Sequence, residues 1–377
     1  PITRPSKSLG QAKHVSSARA DYQNFCKGMI PEGMNFSNLK VVVDASHGAG
    51  YKVVPRVIAD LGAEVIPVGC SPNGRNINDG CGSLRPDLLM LTVAGVRADL
   101  GIALDGDGDR VVMVDQDGTL IDGDGLLYIL TRDRLEQGTL RGPVVGTVMS
   151  NLGLEVALRD LGVDFKRASV GDRHVLAMLK ANGGILGGES SGHLICLDRT
   201  TTGDGLVTAL QVLTMMMRTG TSLKKLVSGM ERFPQAMRNV KVENRVDLEA
   251  EPTIMKAVGE VESTLGDRGR VVLRASGTEP VIRVMVEGES ADTVDALADD
   301  GVQELWKTEV ERNRYYASPV VIDGLMVVVT RRFDITAIDV NSGDLVYART
   351  LDDIDGDLYS GLIAAGGMTY LSSDKGT

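Results

Sequence analysis

The chain has little that would tie it to nucleic acid, to a membrane or to an oxidising compartment. Its 377 residues carry 40 Lys and Arg against 51 Asp and Glu, a formal net charge of −11. A phosphate backbone needs a basic footprint, which this balance does not supply. No apolar run approaches the ~18 residues needed to cross a bilayer. No basic segment followed by an apolar one opens the chain as a secretion signal would, and the first residue is Pro1 rather than Met. The four cysteines, Cys26, Cys70, Cys81 and Cys196, form no C-x-x-C pair and no framework spacing. They read as reduced, buried thiols of a cytoplasmic protein. Aromatic residues make up only 4%, whereas glycine is abundant at 45 residues, a combination that suits an α/β enzyme rich in glycine turns. At 43% hydrophobic and 24% charged, the chain can build a packed core, and its length suits roughly two to four domains.

An internal repeat organises the first half. Leu39 to Asp44 reads as a buried strand, His47 to Gly50 as a glycine loop, and the following stretch to Leu61 as a helix stopped by Gly62, with Glu64 to Val68 resuming as strand. About a hundred residues later the pattern returns, with strand at Val144 to Val148, loop at Ser150 to Gly153, helix at Leu154 to Leu161 and strand within Phe165 to Val170. Two such βαβ units with near-continuous apolar strands predict tandem α/β domains with parallel or mixed sheets covered on both faces. From about Pro234 the pattern becomes α+β: strand at Val240 to Val242, helix at Pro252 to Leu265, strands at Gly269 to Arg274 and Val281 to Glu287, helix at Asp292 to Arg312. Beyond Tyr315 helical periodicity vanishes. Short β runs at Val320 to Ile322, Met326 to Thr330, Thr336 to Val340 and Leu345 to Ala348 are spaced as hairpins. This last stretch holds nine acidic and four basic residues, a charge bias that marks it as a separate unit. The expected divisions are 1–37 as linker, 38–122 and 123–234 as α/β domains, 235–312 as a smaller α+β domain, and 313–377 as an all-β fragment.

Three motifs carry chemistry. Asp105-Gly106-Asp107-Gly108-Asp109-Arg110 follows the apolar strand Leu100 to Leu104. Three carboxylates at i, i+2 and i+4 with glycines between them can bend round one hard cation. An EF-hand loop would need Gly at its sixth position and Glu at its twelfth, where Arg110 and Gln116 stand. Mg²⁺ beside a phosphate fits better, because Mg²⁺ takes few carboxylates and completes its shell with substrate oxygens; Arg110 is placed to contact the phosphate. Gly187-Gly188-Glu189-Ser190-Ser191-Gly192-His193 follows a second short apolar strand. Its Glu189 and Ser191 suit sugar hydroxyls, and His193 suits proton transfer. Arg274-Ala275-Ser276-Gly277-Thr278-Glu279-Pro280, with Arg283 beyond it, joins two strands. Exposed N–H groups at Gly277, the Ser276 and Thr278 hydroxyls and the Arg274 and Arg283 guanidiniums make a phosphate cradle.

Together the three motifs resemble the α-D-phosphohexomutases, over roughly Arg4 to Arg312 and in the family's order. Phe25-Cys26-Lys27, Gly62 to Pro67, Pro72 to Asn78, Cys81-Gly82-Ser83 and Val170-Gly171-Asp172-Arg173 match further. The S-G-T-E-P form and the N-I-N…C-G-S stretch resemble the branch acting on glucosamine phosphate, rather than mannose or glucose phosphate, which serves amino-sugar precursors of peptidoglycan. The resemblance implies an isomerase that moves phosphate between the 6- and 1-positions, with Mg²⁺ on Asp105, Asp107 and Asp109 and catalytic roles for Arg110 and His193. It implies sugar contacts from Glu189, Ser191 and Arg173, and a distal phosphate on Arg274, Ser276, Gly277, Thr278 and Arg283. A phosphosugar is the implied partner, with no nucleic acid or membrane, and there is room for a homodimer. The alternative is a phosphosugar- and Mg²⁺-binding module without turnover.

In this family a first domain carries a serine that is phosphorylated and passes its phosphate to the sugar. The chain is expected to begin where that domain ends, so the nucleophile is expected to be absent and turnover by this chain alone to be lost. Asp44-Ala45-Ser46-His47 imitates the missing loop, but it follows the first strand of the first α/β repeat, a context that argues against Ser46 as nucleophile. Other departures from the family pattern are His174 for Tyr, Ser190 for Gln and Leu84 after Cys81-Gly82-Ser83. The segment from Ser318 resembles a blade of a quinoprotein-type β-propeller. One and a half blades cannot close a ring of ~4–8, and no cofactor site is read into it.

Overall fold

The computed structural model describes residues 15–241, 251–275 and 281–299, and within the C-terminal region 319–322, 324–330, 333–340, 342–351, 363–365 and 368–370. The chain divides into two units, Pro1–Leu297 and Ala298–Thr377.

The first unit opens with α1 (Ala18–Lys27), followed by β1 (Lys40–Asp44), α2 (Val54–Asp60) and β2 (Glu64–Val68). Then come α3 (Asp87–Val96), β3 (Leu100–Leu104), β4 (Val111–Asp115) and β5 (Leu120–Ile121). The five strands form one sheet in the order β2-β1-β3-β4-β5. β1 is parallel to β2 and β3, while β3, β4 and β5 are antiparallel neighbours. The expected mixed sheet is therefore present. Every residue of β3 and β4 is buried, as expected of strands covered on both faces. The stretch 1–37, expected as a linker with a helix near Ala18 to Lys27, carries α1 at those bounds. Cys26 of that helix and Phe36 beyond it are wholly buried in the main core, and Tyr22 Oη donates to Asp204 Oδ2 at 2.8 Å. Burial and the Asp204 carboxylate both raise the pKa of that phenol.

The second repeat follows with α4 (Gly123–Glu136), β6 (Val144–Thr147), α5 (Leu152–Asp160), β7 (Phe165–Ala168) and α6 (Asp172–Asn182). β8 (Leu186–Gly188), β9 (Leu194–Cys196), α7 (Gly205–Thr219) and α8 (Leu223–Val227) complete it. The order β7-β6-β8-β9 repeats the parallel-then-antiparallel arrangement of the first sheet. α7 is mostly apolar and mostly buried, and it packs against β3 and β4 of the first sheet and β9 of the second. One hydrophobic core therefore runs through both repeats. Asp204 caps α7 by accepting from Val207 N, and Asp122 caps α4 by accepting from Gly125 N.

The unit ends with β10 (Gln235–Lys241), α9 (Pro252–Leu265), β11 (Gly269–Ala275), β12 (Val281–Gly288) and α10 (Ala291–Asp299). β12 lies between β10 and β11, antiparallel to both. The helix expected from Asp292 begins at Ala291, and its part beyond Asp299 lies outside the described residues. In the second unit, β13 (Val320–Ile322), β14 (Leu325–Val329), β15 (Asp334–Asp339) and β16 (Leu345–Thr350) form a four-stranded antiparallel meander. β17 (Ile363–Ala365) pairs with β18 (Met368–Tyr370). Val327, Val329, Phe333 and Ala337 make its small core. No helix among the described residues is long and apolar enough to cross a membrane.

Candidate active site

The acidic loop leaves β3 at the C-terminal edge of the parallel strands, the edge where open α/β sheets bind ligands. Asp105, Asp107 and Asp109 each offer a carboxylate oxygen, all within 4.8 Å of one another. Asp105 is buried, and its Oδ1 accepts from Gly108 N and Arg110 N at 3.1 and 3.2 Å. Burial, together with the Asp109 and Asp107 carboxylates, pushes Asp105 up to about 6 against those backbone donors. Asp109 Oδ1 is buried and accepts no hydrogen bond among the described residues. Three converging hard oxygens, beside a buried Asp109 oxygen that accepts no hydrogen bond, fit a divalent cation of the Mg²⁺ kind, which would also relieve their mutual repulsion. Arg110 Nε lies 3.7 Å from Asp105 Oδ2 and 3.9 Å from Asp109 Oδ1. A cavity of about 320 Å³ opens beside this loop, with Asp107, Gly108, Asp109, Tyr22 and Asp204 in its walls.

The loop between β8 and β9 docks directly onto the acidic loop. Arg110 and His193 form a β-bridge, Val111 N donates to Gly192 O at 3.1 Å, and Gly123 N donates to Ser190 O at 3.0 Å. Glycines make this approach feasible. A Cβ on Gly123 would strike Glu189 O, and one on Gly192, which sits at φ +96°, would strike Val111 O. His193 is buried, and its Nδ1 lies 3.0 Å from Asp109 Oδ2. Nδ1 is placed to donate to that carboxylate, and the second ring nitrogen is Nε2. That atom is buried, has no partner among the described residues, and lies against Gly203, where a side chain would occupy the space. Glu189 Oε1 accepts from Gly171 N at 2.8 Å, which brings the segment bearing Arg173 to the same loop. Arg173 and Ser191 are exposed.

The phosphate motif is split by what is described. Ser276, Gly277 and Thr278 lie outside the described residues. Arg274 and Arg283 stand directly opposite each other on β11 and β12, both exposed. Like charges facing across a ladder repel, and a bound dianion would turn that cost into attraction. Ser46 is wholly buried and donates its Oγ to Ala45 O, so it is not presented as a nucleophile. Ser46 and His47 both adopt φ 51°, a left-handed conformation that costs about 1–2 kcal/mol per non-glycine residue. Buried Asp44 holds this turn by accepting from Ser46 N and Gly82 N at 2.8 and 2.7 Å. Gly203 and Asp204, which also line the cavity beside the acidic loop, are not among the residues expected from the motifs. The Thr202-Gly203-Asp204-Gly205 run carried a glycine-and-acid signal for both.

The chain thus has two α/β repeats and a smaller α+β domain in tandem, with the acidic loop of the first repeat packed on the glycine-bearing loop of the second. Family models agree: phosphoglucomutase/phosphomannomutase alpha/beta/alpha domain II matches residues 21–118, alpha/beta/alpha domain III matches 122–233, and the C-terminal domain matches 237–303. The chain belongs to the phosphoglucomutase/phosphomannomutase family. Among its relatives, the phosphoglucosamine mutase of Nitrosococcus oceani is 53% identical over 303 residues, covering 80% of this chain and 67% of the relative. That of Methylococcus capsulatus is 53% identical over 291 residues, covering 77% and 65%. The chain thus spans about two thirds of the length of the curated relatives it matches. A phosphoglucomutase/phosphomannomutase family protein from Burkholderia thailandensis shares the fold, with a TM-score of 0.62 at 23% identity over 75% of this chain and 63% of that one. So does Aspergillus fumigatus N-acetylphosphoglucosamine mutase in complex with GlcNAc-6P and magnesium, with a TM-score of 0.58 at 20% identity over 74% and 67%.

Proposed function

We propose that this chain carries the metal-, sugar- and phosphate-binding parts of a phosphoglucosamine mutase, which interconverts glucosamine 6-phosphate and glucosamine 1-phosphate in the cytoplasm. The observation that carries the reading is the direct seating of the sugar loop on the metal loop, through the Arg110–His193 bridge and the His193–Asp109 contact. The relatives named phosphoglucosamine mutase at 53% identity support the sugar assignment. Asp105, Asp107 and Asp109 would hold Mg²⁺, which supplies charge for the phosphoryl group in flight. Arg110 adds a fixed positive charge beside those carboxylates. His193, held against Asp109, is the proton-transfer group for a sugar hydroxyl. Glu189 and Ser191 orient the sugar hydroxyls with Arg173 beside them, and Arg274 and Arg283, with Ser276, Gly277 and Thr278, take the non-reacting phosphate. In the reaction, phosphate passes from a phosphoserine to the sugar, giving the 1,6-bisphosphate, and the serine recovers the other phosphate.

Calorimetric titration of glucosamine 6-phosphate in the presence of Mg²⁺ tests this reading. Saturable binding that weakens at least tenfold in Asp107→Ala is expected, because one of three oxygen ligands is lost. Absence of heat with the unaltered chain would overturn the phosphosugar assignment. An affinity untouched by Asp107→Ala would overturn the metal assignment.

A further inference from the structure

The β11–β12 ladder has two functional ends on one face. Arg270 stands opposite Glu287, Val272 opposite Met285, and Arg274 opposite Arg283. Residues two apart along a strand share a face, so these three pairs line one side of the hairpin. At about 3.3 Å per residue, the end pairs are roughly 13 Å apart. Arg274 and Arg283 are exposed, whereas Glu287 at the other end is 0% exposed.

Glu287 takes donors from three elements. Its Oε1 accepts from Leu152 N, the first residue of α5, and from Gln235 Nε2 on β10, both at 2.8 Å. Its Oε2 accepts from Arg270 Nε at 2.6 Å. Arg270 then donates to Val148 O at 3.0 Å and Ser150 O at 2.6 Å. The segment 148–152 thereby has two carbonyls and a helix-start N–H satisfied by side chains of the hairpin. A carboxylate at a helix N-terminus is also favoured by the helix dipole. The same segment is tied to the sugar loop. Asn151 N donates to Asp124 Oδ2 at 2.8 Å, and the neighbouring Gly123 N donates to Ser190 O. Apolar packing alone would let the hairpin slide, but a carboxylate and a guanidinium with these fixed partners set its angle as well as its contact.

We infer that Glu287, with Arg270, is a positioning residue that seats the Arg274–Arg283 pair at a set distance from the sugar loop, and so governs the affinity for the distal phosphate without touching it. The inference rests on the phosphosugar reading above. A double-mutant cycle tests it: glucosamine 6-phosphate is titrated with Mg²⁺ into the unaltered chain, E287Q, R274Q and E287Q/R274Q. Each single substitution is expected to weaken binding by about tenfold, and the double variant to be little worse than R274Q, because Glu287 acts through that arginine. Mg²⁺ titrated alone is expected to bind all four equally. An unchanged affinity in E287Q, or losses that multiply to about a hundredfold in the double variant, would overturn the inference. Where E287Q alone does not fold, E287Q/R270Q removes both charges together and the same cycle against R274Q is read. Failure of the unaltered chain to bind the phosphosugar is seen before any variant is made; it overturns the proposed function, and this inference with it.

Discussion

Where the sugar loop meets the metal loop and the start of α4, backbone lies against backbone: Gly192 packs on the Val111 main chain and Gly123 on that of Glu189. Where the phosphate hairpin meets the segment before α5, side chains reach across instead, chiefly Glu287 and Arg270. The first contact has almost no soft degrees of freedom, since moving it means changing φ and ψ or breaking a backbone hydrogen bond. The second depends on rotatable side chains and can be weakened in steps. The difference matches the chemistry assigned to each place. Metal and proton-transfer groups need a fixed geometry, whereas a distal phosphate needs to be caught and held.

The largest expected effect is at the backbone contact. Gly123→Ala puts a methyl against Glu189 O, a main-chain atom that cannot swing aside. A stability loss on the order of 4 kcal/mol is expected in chemical denaturation. A loss below about 1 kcal/mol would show slack at the junction and erase the contrast.

The next effect lies in the side-chain contact. Asp124 is buried and anchors Asn151, and burial pushes its carboxyl from 3.8 to about 6. The folded state therefore holds the proton more tightly than the unfolded state does. The stabilisation is full below about pH 3.8 and is lost as pH rises through about 6. By pH 7 the difference amounts to up to about 3 kcal/mol. Asp124→Asn is expected to flatten that part of the stability-against-pH curve. Parallel curves for the two proteins between pH 4 and pH 7 would show that Asp124 is not strained by its charge.

The smallest effect sharpens the contrast further. Arg274→Gln removes one of two facing like charges, and should raise thermal stability slightly, by roughly 0.5 kcal/mol, while weakening phosphosugar binding. A fall in stability would mean the two guanidiniums are held apart by something other than a ligand.

Parts of this could be read from spacing. β2, β3 and α9 have the bounds expected of them, because each is marked locally: continuous apolar runs between polar ends, or Pro252 at a helix start. α5 starts at Leu152, two residues earlier than expected, because Asn151 accepts from Gly153 N and caps it there. β10 runs from Gln235, well before the expected Val240. Its early residues include Gln235, Arg238 and Asn239, which have little strand preference, and the ladder with β12 overrides that.

By itself the sequence determined that three acids share one loop, that the β8–β9 loop is rich in glycine, and that Arg274 and Arg283 share one hairpin. Each is a contiguous run or a pair across one hairpin, and such groups converge once a single turn forms. Only the tertiary structure decided that His193 would meet Asp109, that Ser46 would be buried, and that Glu287 would reach Leu152 N from 135 residues away. Those contacts depend on how separate sheets and helices pack over a shared core, and residue spacing along the chain does not encode that packing in any local pattern.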